Sequence, residues 1–364
     1  MKIDIVHPGY LRVGAGDLER TGLGGNETAM VLAARLLAAR GHQVRVYADC
    51  DPAEDQGARW LPLRALDERE YRDAVIFWGR TKGSAPGRFN APVRAVKLGT
   101  RKAKDGLLEQ VTHGSVNLLI ALSGFQRDLY VRDQGFPASA SWVVTAYGLD
   151  ITRYRQRPAK IPGKFLHAAA PHRGLGHVLD MWPAIRARHP AAELFVASSH
   201  LLRGVTPAED RQRSGHLYER AESMASLGVR FLGRVPKPDL IWHQLTAEYY
   251  LYPTQVPETC CVAALEAAAA GDVILSSRAG ALTDRVTDGV TGYLIDGNPS
   301  DPAVAGKFLG RIGLLAQDPS RRERMAQAAR ELAAAHDFSR AVLPVWEHAF
   351  ARVVAAGLPE PPGG

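Results

Sequence analysis

The chain has few of the features that assign a sequence to a class at once. It contains 3 cysteines, Cys50 and the adjacent Cys260 and Cys261, which form neither a disulfide framework nor a spaced metal motif. It has no run of about 18 apolar residues, so no membrane-spanning helix is expected. Residues 2–7 are too short and too polar for the core of a signal peptide, which predicts a cytoplasmic protein.

The motifs of several enzyme classes are also missing. No histidines fall at metal-ligand spacing, and the sequence has no Gly-x-Ser-x-Gly elbow, P-loop or His-Glu-x-x-His motif. A nucleophilic hydrolase, an ATPase and a zinc enzyme therefore lose their usual support, and no metal site is predicted. The spacing Gly-x-Gly-x-x-Gly is absent and the loop after the first predicted strand is long, so a nicotinamide enzyme is not favoured either.

The composition is that of a soluble globular protein. At 364 residues the chain has about twice the usual length of one domain. Its 46% hydrophobic and 23% charged residues exclude global disorder. The net charge of +7 favours anionic partners such as nucleotides, phosphates or acidic lipids. No nucleic-acid-binding module accompanies that charge, so no nucleic acid partner is predicted.

Short apolar strands alternate with helices along the chain. This alternation predicts an α/β protein with parallel sheets covered on both faces, and two such sheets require two domains. The domains are expected to separate in the polar, proline-containing stretch 150–163. The predicted strands cover residues 2–7, 43–48, 74–78, 117–121 and 142–146, then 164–168, 193–197, 229–232, 249–252 and 273–275. Ligands of such domains bind at the carboxyl ends of the strands.

The strongest local signal is the segment Pro257–Gly271, in which Glu258 and Glu266 stand eight residues apart. On a helix this spacing is about 12 Å, which is too long for the paired carboxylates of a glycosidase, roughly 5–9.5 Å apart. Two such acceptors can grip hydroxyls at the two ends of one elongated ligand. Glu266 lies among alanines that should be buried, so it needs hydrogen-bond partners. For Glu266 the alternatives are a structural pairing with a neighbouring arginine or the capping of a helix, and for Glu258 an exposed place at a helix start.

Three further stretches carry charge or glycine in positions suited to anions. Gly22–Glu27 precedes an amphipathic helix and can cradle a phosphate, although it can equally be a plain turn. Arg173 follows the first strand of the second half, where it can neutralise a diphosphate or lie in solvent. Residues 79–104 contain eight cations and no acid. This stretch is either a solvated basic loop or a contact for acidic lipid or an anionic acceptor.

The order of these motifs resembles the retaining glycosyltransferases of the GT-B architecture, in the large family-four (group 1) class. The resemblance covers nearly the whole chain. The matching segments are Gly24-Gly25-Asn26-Glu27, Arg40-Gly41-His42, Ser123–Gly135, Tyr147–Asp150, Phe231–Val235, the Glu258-x7-Glu266 signature and Asp288–Gly292.

The resemblance implies two Rossmann-like doubly wound domains facing across a cleft. Residues 1–152, completed by a C-terminal helix at 338–356, would bind the acceptor, and residues 153–337 would bind the nucleotide sugar. Arg173 and Glu258 would be catalytic. The implied donor-binding residues are Gly24, Gly25, Arg173, Arg234, Val235, Glu258, Thr259, Cys260, Cys261 and Glu266. Within this set Glu266 would hold the ribose, and Glu258 with the backbone amides of the next three residues would hold the sugar.

One position departs from the family pattern. An arginine and a lysine usually stand five residues apart on the diphosphate, but here Arg173 takes the lysine place and Ala168 the arginine place. His172 or Arg234 would then have to substitute for the missing cation. Leaving-group stabilisation would rest on fewer charges than is usual.

The resemblance implies transfer of a hexosyl group from a nucleotide diphosphate sugar, with a UDP-sugar favoured, to a hydroxyl acceptor. The configuration would be retained without a metal, a cofactor or a protein nucleophile, because the leaving phosphate can take the acceptor's proton. A nucleotide-sugar epimerase or hydrolase of the same fold, and an inactive sugar-nucleotide-binding protein, remain alternatives. Loops 8–20 and 79–105 would bind the acceptor, for which a small natural product such as an aminocyclitol, a glycan end and a lipid-linked sugar all remain open. The sequence also leaves open the transferred sugar, the nucleobase and the oligomeric state.

Overall fold

The computed structural model describes residues 1–9 and 11–356, which form two units. The first comprises Met1–Asp17, Gly25–Gly148 and the described residues from Asp337 onward. The second comprises Leu18–Gly24 and Leu149–His336. Each unit is built around one sheet, so the chain has two α/β domains with parallel sheets.

The first sheet has the strand order β3-β4-β2-β1-β5-β6-β7-β8 in the described part of the chain. Its neighbours pair in parallel except β3 with β4, which are antiparallel. The strands are β1 (Lys2–Val6), β2 (Gln43–Ala48), β3 (Ala53–Asp55), β4 (Ala58–Pro62), β5 (Ala74–Gly79), β6 (Val93–Leu98), β7 (Leu118–Ala121) and β8 (Trp142–Val144).

The second sheet is parallel throughout, with the order β11-β10-β9-β12-β13-β14. Its central strands are buried along their whole length, as expected where helices cover both faces. The strands are β9 (Lys164–Ala168), β10 (Glu193–Ala197), β11 (Val229–Phe231), β12 (Tyr249–Tyr252), β13 (Val273–Ser277) and β14 (Gly292–Ile295).

Helices connect the strands in both units. Those of the first unit are α2, α3, α4 and α11, and α5 to α10 belong to the second, whereas the short α1 begins at the end of the first segment of the first unit. The helices are α1 (Asp17–Arg20), α2 (Gly25–Ala39), α3 (Leu107–Thr112), α4 (Gly124–Gln134), α5 (Leu175–Arg188), α6 (Pro207–Ser223), α7 (Lys237–Thr246), α8 (Val262–Ala270), α9 (Pro302–Gln317), α10 (Pro319–Ala334) and α11 (Leu343–Ala356).

The predicted and observed boundaries differ in three places, of which one is Asp337, predicted in the second domain and found in the first unit. The sequence assigned residues up to 152 to the first domain, but the second unit already begins at Leu149. The backbone of Leu149 makes a contact within the second unit, because its amide donates to the carbonyl of His336 at 2.9 Å. Residues 18–24 were also assigned to the first domain and cluster with the second. Arg153 helps to hold them there through an ion pair with Glu19 at 2.8 Å.

The last helix completes the first unit. A π-helical turn at Phe338–Val342 leads into α11, whose Trp346 indole donates to Thr145 Oγ1 at 3.0 Å. Glu347 accepts from Arg40 and contacts His42 at the exit of α2. The predicted helix at 338–356 therefore consists of a π-helical turn followed by a regular helix.

The strand order places a crevice in the second sheet. The chain runs from β9 outward to β10 and β11, then returns to the other side of β9 with β12. The loops after β9 and β12 therefore leave the sheet in opposite directions, and such a switch point is where doubly wound sheets bind ligands. Arg173 lies in the first of these loops and Glu258 in the second.

Candidate active site

Arg173 and Glu258 meet across this switch point. Arg173 Nη1 donates to both carboxylate oxygens of Glu258, and the hydroxyl of Tyr252 donates to Glu258 Oε1 at 2.5 Å. The Glu258 side chain is 3% exposed and that of Arg173 is 30% exposed. Burial by itself would lower the pKa of Arg173, but the charge of Glu258 outweighs that effect and raises the pKa. Arg173 is therefore charged, and its side of the pair is accessible.

Two glycines fix the loops that carry this pair. Gly174 has φ of +106°, and a Cβ there would lie 2.4 Å from the carbonyl oxygen of Pro253, just after β12. Gly280 has φ of +58°, and its Cβ would lie 2.5 Å from the carbonyl oxygen of Glu258. A side chain at either position would be strained in its backbone and would displace a loop. The glycines thus hold Arg173 and Glu258 within reach of each other.

The backbone after Glu258 turns sharply before α8. α8 begins only at Val262, three residues after Thr259, because Cys261 adopts a left-handed conformation with φ of +55° and ψ of +66°. Non-glycine residues in that region store strain and are common at functional sites. The carbonyl of Cys260 accepts from the buried Arg285 Nε at 3.0 Å, which fixes the turn. Glu258 is accordingly a buried loop residue rather than an exposed residue at a helix start.

Glu266 lies in the middle of α8 and is 4% exposed. Lys237 Nζ donates to its Oε1, and Gln244 Nε2 donates to its Oε2 at 3.2 Å. Glu266 is buried and hydrogen-bonded, as expected from the sequence. Its charged partner, however, is Lys237, which the sequence did not predict. An ionised carboxylate accepts about four hydrogen bonds. Two of these sites are occupied here, so Glu266 retains capacity for ligand hydroxyls.

The other predicted donor residues occupy both units. Arg234 Nε donates to the carbonyl of Gly22 at 2.7 Å, which ties the strand exit before α7 to the 18–24 segment within the second unit. The carbonyl of Val235 lies at the same contact. Gly24 ends that segment, whereas Gly25 is the first residue of α2 in the first unit. At the exit of β9, the carbonyl of Ala168 accepts from the hydroxyl of Tyr250 at 3.0 Å.

The predicted basic stretch 79–104 is not one exposed surface. Arg80 makes a two-point ion pair with Asp105, and Arg94 donates to backbone carbonyls. Lys97 is 1% exposed, donates to Asn26 Oδ1 at 2.7 Å and lies over an aromatic ring of Tyr147. The exposed cations of this stretch are Lys82, Arg88, Arg101, Lys102 and Lys104. The charge in this segment is thus partly structural.

The two sheets define the GT-B architecture, and solved glycosyltransferase structures share it. Sucrose-phosphate synthase from Thermosynechococcus elongatus superimposes with a TM-score of 0.70 at 16% identity, over 98% of this chain and 100% of that one. The HepE protein of Anabaena, in complex with UDP, gives 0.66 at 15% identity, over 98% and 100%.

Residues 164–332, most of the second unit, match the family model for glycosyl transferases group 1. Among curated relatives, the D-inositol 3-phosphate glycosyltransferase of Kribbella flavida is 31% identical over 49% of this chain and 37% of its own length. The enzyme of the same name from Nocardiopsis dassonvillei is 30% identical over 66% and 49%. The alignments thus span half or less of these relatives. Among the helices of residues 1–9 and 11–356, none is long and apolar enough to cross a membrane.

Proposed function

We propose that the chain is a retaining glycosyltransferase that moves a hexosyl group from a nucleotide diphosphate sugar to a hydroxyl acceptor. The observation that carries this proposal is the Arg173–Glu258 pair. It lies at the switch point of the second sheet, within the residues that match the family model for glycosyl transferases group 1. Its accessible arginine suits a phosphate, and its buried carboxylate suits sugar hydroxyls.

In this proposal the donor lies along the carboxyl edge of the second sheet. Glu266 accepts the ribose hydroxyls with the acceptor capacity that Lys237 and Gln244 leave. Glu258 and the backbone amides of residues 259–261 hold the transferred sugar. Val235 meets the base through its backbone, with Gly24, the last residue of the 18–24 segment of the second unit, near the diphosphate.

The chemical step then depends on charge at the leaving group. As the bond between the anomeric carbon and the phosphate oxygen breaks, negative charge grows on the diphosphate, and Arg173 is positioned to stabilise it. The acceptor oxygen bonds to the anomeric carbon on the face that the phosphate leaves, so the configuration is retained, and the departing phosphate oxygen takes the proton of that hydroxyl. No protein nucleophile, metal or cofactor is required by this scheme.

The names and bound ligands of similar proteins indicate which donor and which acceptor to test first. HepE was solved with UDP and with UDP-glucose, so a uridine diphosphate sugar is the first donor to test. The curated relatives that carry the name D-inositol 3-phosphate glycosyltransferase make a phosphorylated cyclitol the first acceptor to test. A glycan end and a lipid-linked sugar follow, and the exposed cations within 79–104 are the proposed contact if the acceptor is anionic or membrane-bound.

Thermal melting with UDP, GDP, ADP and dTDP tests donor binding. A nucleotide at about 100 times its Kd stabilises the fold by roughly 2.7 kcal/mol. We expect one nucleotide to raise Tm, Glu266→Gln to lose most of that gain, and Glu222→Gln, an exposed control in α6, to keep it. No shift with any nucleotide would contradict the proposal. A shift without sugar turnover would favour the inactive binding protein, the alternative to which Ala168 lends support.

A further inference from the structure

A second basic group lies beside Arg173, on the loop after β10. The imidazole rings of His172 and His200 stack with centroids 5.0 Å apart and planes at 9°. Arg203 Nη1 lies 3.4 Å from His172 Nε2. Because His172 precedes Arg173 in the chain, two arginines and two histidines gather at the carboxyl ends of the adjacent strands β9 and β10.

The loop that supplies Arg203 has a defined shape. It is a 3₁₀ turn over His200–Arg203 that Ser199 caps by accepting from the amide of Leu201 at 3.0 Å, and Gly204 ends it in a left-handed conformation. Ser198 Oγ donates to the carbonyl of Ala169 at 2.6 Å, which joins this loop to the loop after β9. Arg203 is thus held beside the Arg173 loop while its side chain stays exposed.

The nearby acid, Asp210, accepts hydrogen bonds from this loop and from α6. Asp210 accepts from the hydroxyls of Ser199 at 2.8 Å and Tyr218 at 2.6 Å and from the amide of His200 at 3.0 Å. Arg173 in turn is bound by Glu258. A diphosphate carries more negative charge than Arg173 can balance while it is paired with Glu258, and Ala168 at the end of β9 offers no charge.

We infer that Arg203, together with the stacked His172 and His200, forms a diphosphate-binding subsite beside Arg173 that takes the phosphates of a nucleoside diphosphate. This inference rests on the proposed function and adds residues that it does not use. A guanidinium can meet a phosphate with two parallel N–H donors. The imidazoles add donors once they are protonated.

The histidines should then couple binding to protons. The pKa of His172 is lowered to about 4 by burial and by Arg173, Arg203 and His200. Burial also lowers the pKa of His200, helped by Arg203 and Arg213 and opposed by Asp210. A bound diphosphate would raise both pKa values, so binding should take up protons and strengthen as the pH falls toward 6.

Calorimetric titration of UDP, UMP and uridine tests the subsite. We expect Arg203→Ala to weaken UDP binding about 10- to 100-fold and to leave uridine binding unchanged. Arg211→Ala, an exposed arginine of α6 at 78% exposure, is the matched control and should bind UDP as the wild type does. Titration in two buffers of different ionisation enthalpy should show proton uptake that His172→Gln reduces.

The outcomes distinguish a failure of the proposed subsite from a failure of the proposed function. Wild-type protein that binds UDP while Arg203→Ala binds it equally well would overturn the subsite alone. Wild-type protein that binds no nucleotide would overturn the proposed function together with the subsite. Since Arg203 is exposed, a melting curve should confirm that Arg203→Ala folds as the wild type does.

Discussion

Arg173 and Glu258, 85 residues apart in the chain, form an ion pair between the loops after β9 and β12, in which Nη1 of Arg173 donates to both carboxylate oxygens. Tyr252, the last residue of β12, adds a third hydrogen bond, which its hydroxyl donates to Glu258 Oε1. The pair joins the two loops at the point where the strand order of the sheet reverses. It therefore places one charged group that suits the leaving phosphate beside one that suits the sugar.

Removing one partner of this pair should affect stability and activity differently. Arg173→Met leaves the carboxylate of Glu258 buried with Tyr252 as a remaining donor, so we expect a loss of about 1–3 kcal/mol in the free energy of unfolding. Adding Glu258→Gln should recover part of that loss, because the buried charge is gone. Neither the single nor the double variant should exceed about 1% of wild-type turnover. Urea unfolding and donor-cleavage assays provide the two readouts.

A double variant that recovered activity along with stability would contradict the catalytic role of the pair. Arg220→Met is a suitable control, because its ion pair with Asp180 joins exposed side chains on the α5–α6 surface. Surface pairs of this kind contribute roughly 0–1 kcal/mol. The control should therefore leave both readouts near the wild-type values.

The assignment of Glu266 to the ribose can be tested with a modified nucleotide. We expect wild-type protein to prefer UDP over 2′-deoxy-UDP by about 10-fold, the value of one hydrogen bond to a charged group. Glu266→Gln should lose most of this preference while Lys237 and Gln244 keep the site folded. Calorimetry with both nucleotides measures the ratio. An unchanged preference in Glu266→Gln would place the ribose elsewhere.

The glycine that positions Arg173 should not tolerate a methyl group. Gly174→Ala would combine a positive φ with a Cβ 2.4 Å from the Pro253 carbonyl. We expect it to cost about 1–3 kcal/mol in the free energy of unfolding and to lower donor turnover. Gly313→Ala, inside α9 where a Cβ meets nothing within 4 Å, should instead stabilise the protein by about 0.5–1 kcal/mol. Equal effects of the two substitutions would refute the positioning role of Gly174.

His167 should make the fold sensitive to acid. Its side chain is fully buried, and burial lowers its pKa from 6.5 to about 4, against the hydrogen bond with the Leu251 carbonyl that raises it. Between these values the unfolded chain binds the proton and the native protein does not, so the free energy of unfolding falls as the pH drops from 6.5 to 4. The contribution of this one group is about 3 kcal/mol over that range.

A substitution isolates this contribution from opposing groups. Asp272, whose pKa burial raises to about 7 against the effect of Lys160, acts with the opposite sign, because there the native protein binds the proton. We therefore compare wild type with His167→Asn, which can still donate to the Leu251 carbonyl. The difference in the free energy of unfolding between the two proteins should change by about 3 kcal/mol between pH 7 and pH 4. A constant difference would refute the role of His167.

The sequence predicted the fold class because alternating apolar strands and helices leave few other arrangements. It did not predict β6, which reads Val-Arg-Ala-Val-Lys-Leu, because Arg94 and Lys97 interrupt the apolar pattern of a mostly buried strand. Carbonyl acceptors satisfy Arg94, and Asn26 with the rings of Tyr147 and Trp78 satisfies Lys97. It also missed β14, whose four residues follow a turn motif. In these strands tertiary contacts overrode the local pattern.

For the candidate site too, local motifs predicted some residues, whereas the contacts that depend on the fold were not predicted. Arg173, Glu258 and Glu266 were predicted as site residues from local motifs, but the side chains that contact Glu266 and His172 in the structure were not predicted. Lys237 lies 29 residues from Glu266, and nothing in its own surroundings distinguishes it from a surface lysine at a helix start. Arg203 likewise is one cation in an ordinary loop until the fold brings it to His172. Such partners become visible once the order of the strands is known.

Proton NMR of the sugar released from a UDP-hexose tests the central claim most directly, because it needs no acceptor other than water. An α-linked donor cleaved with retention should release the α-anomer first, before mutarotation, and Glu258→Gln should abolish the release while it still binds UDP. Initial release of the β-anomer would contradict the retaining mechanism. UDP binding without any cleavage, even with cyclitol phosphates or sugars as acceptors, would contradict the proposed transferase activity.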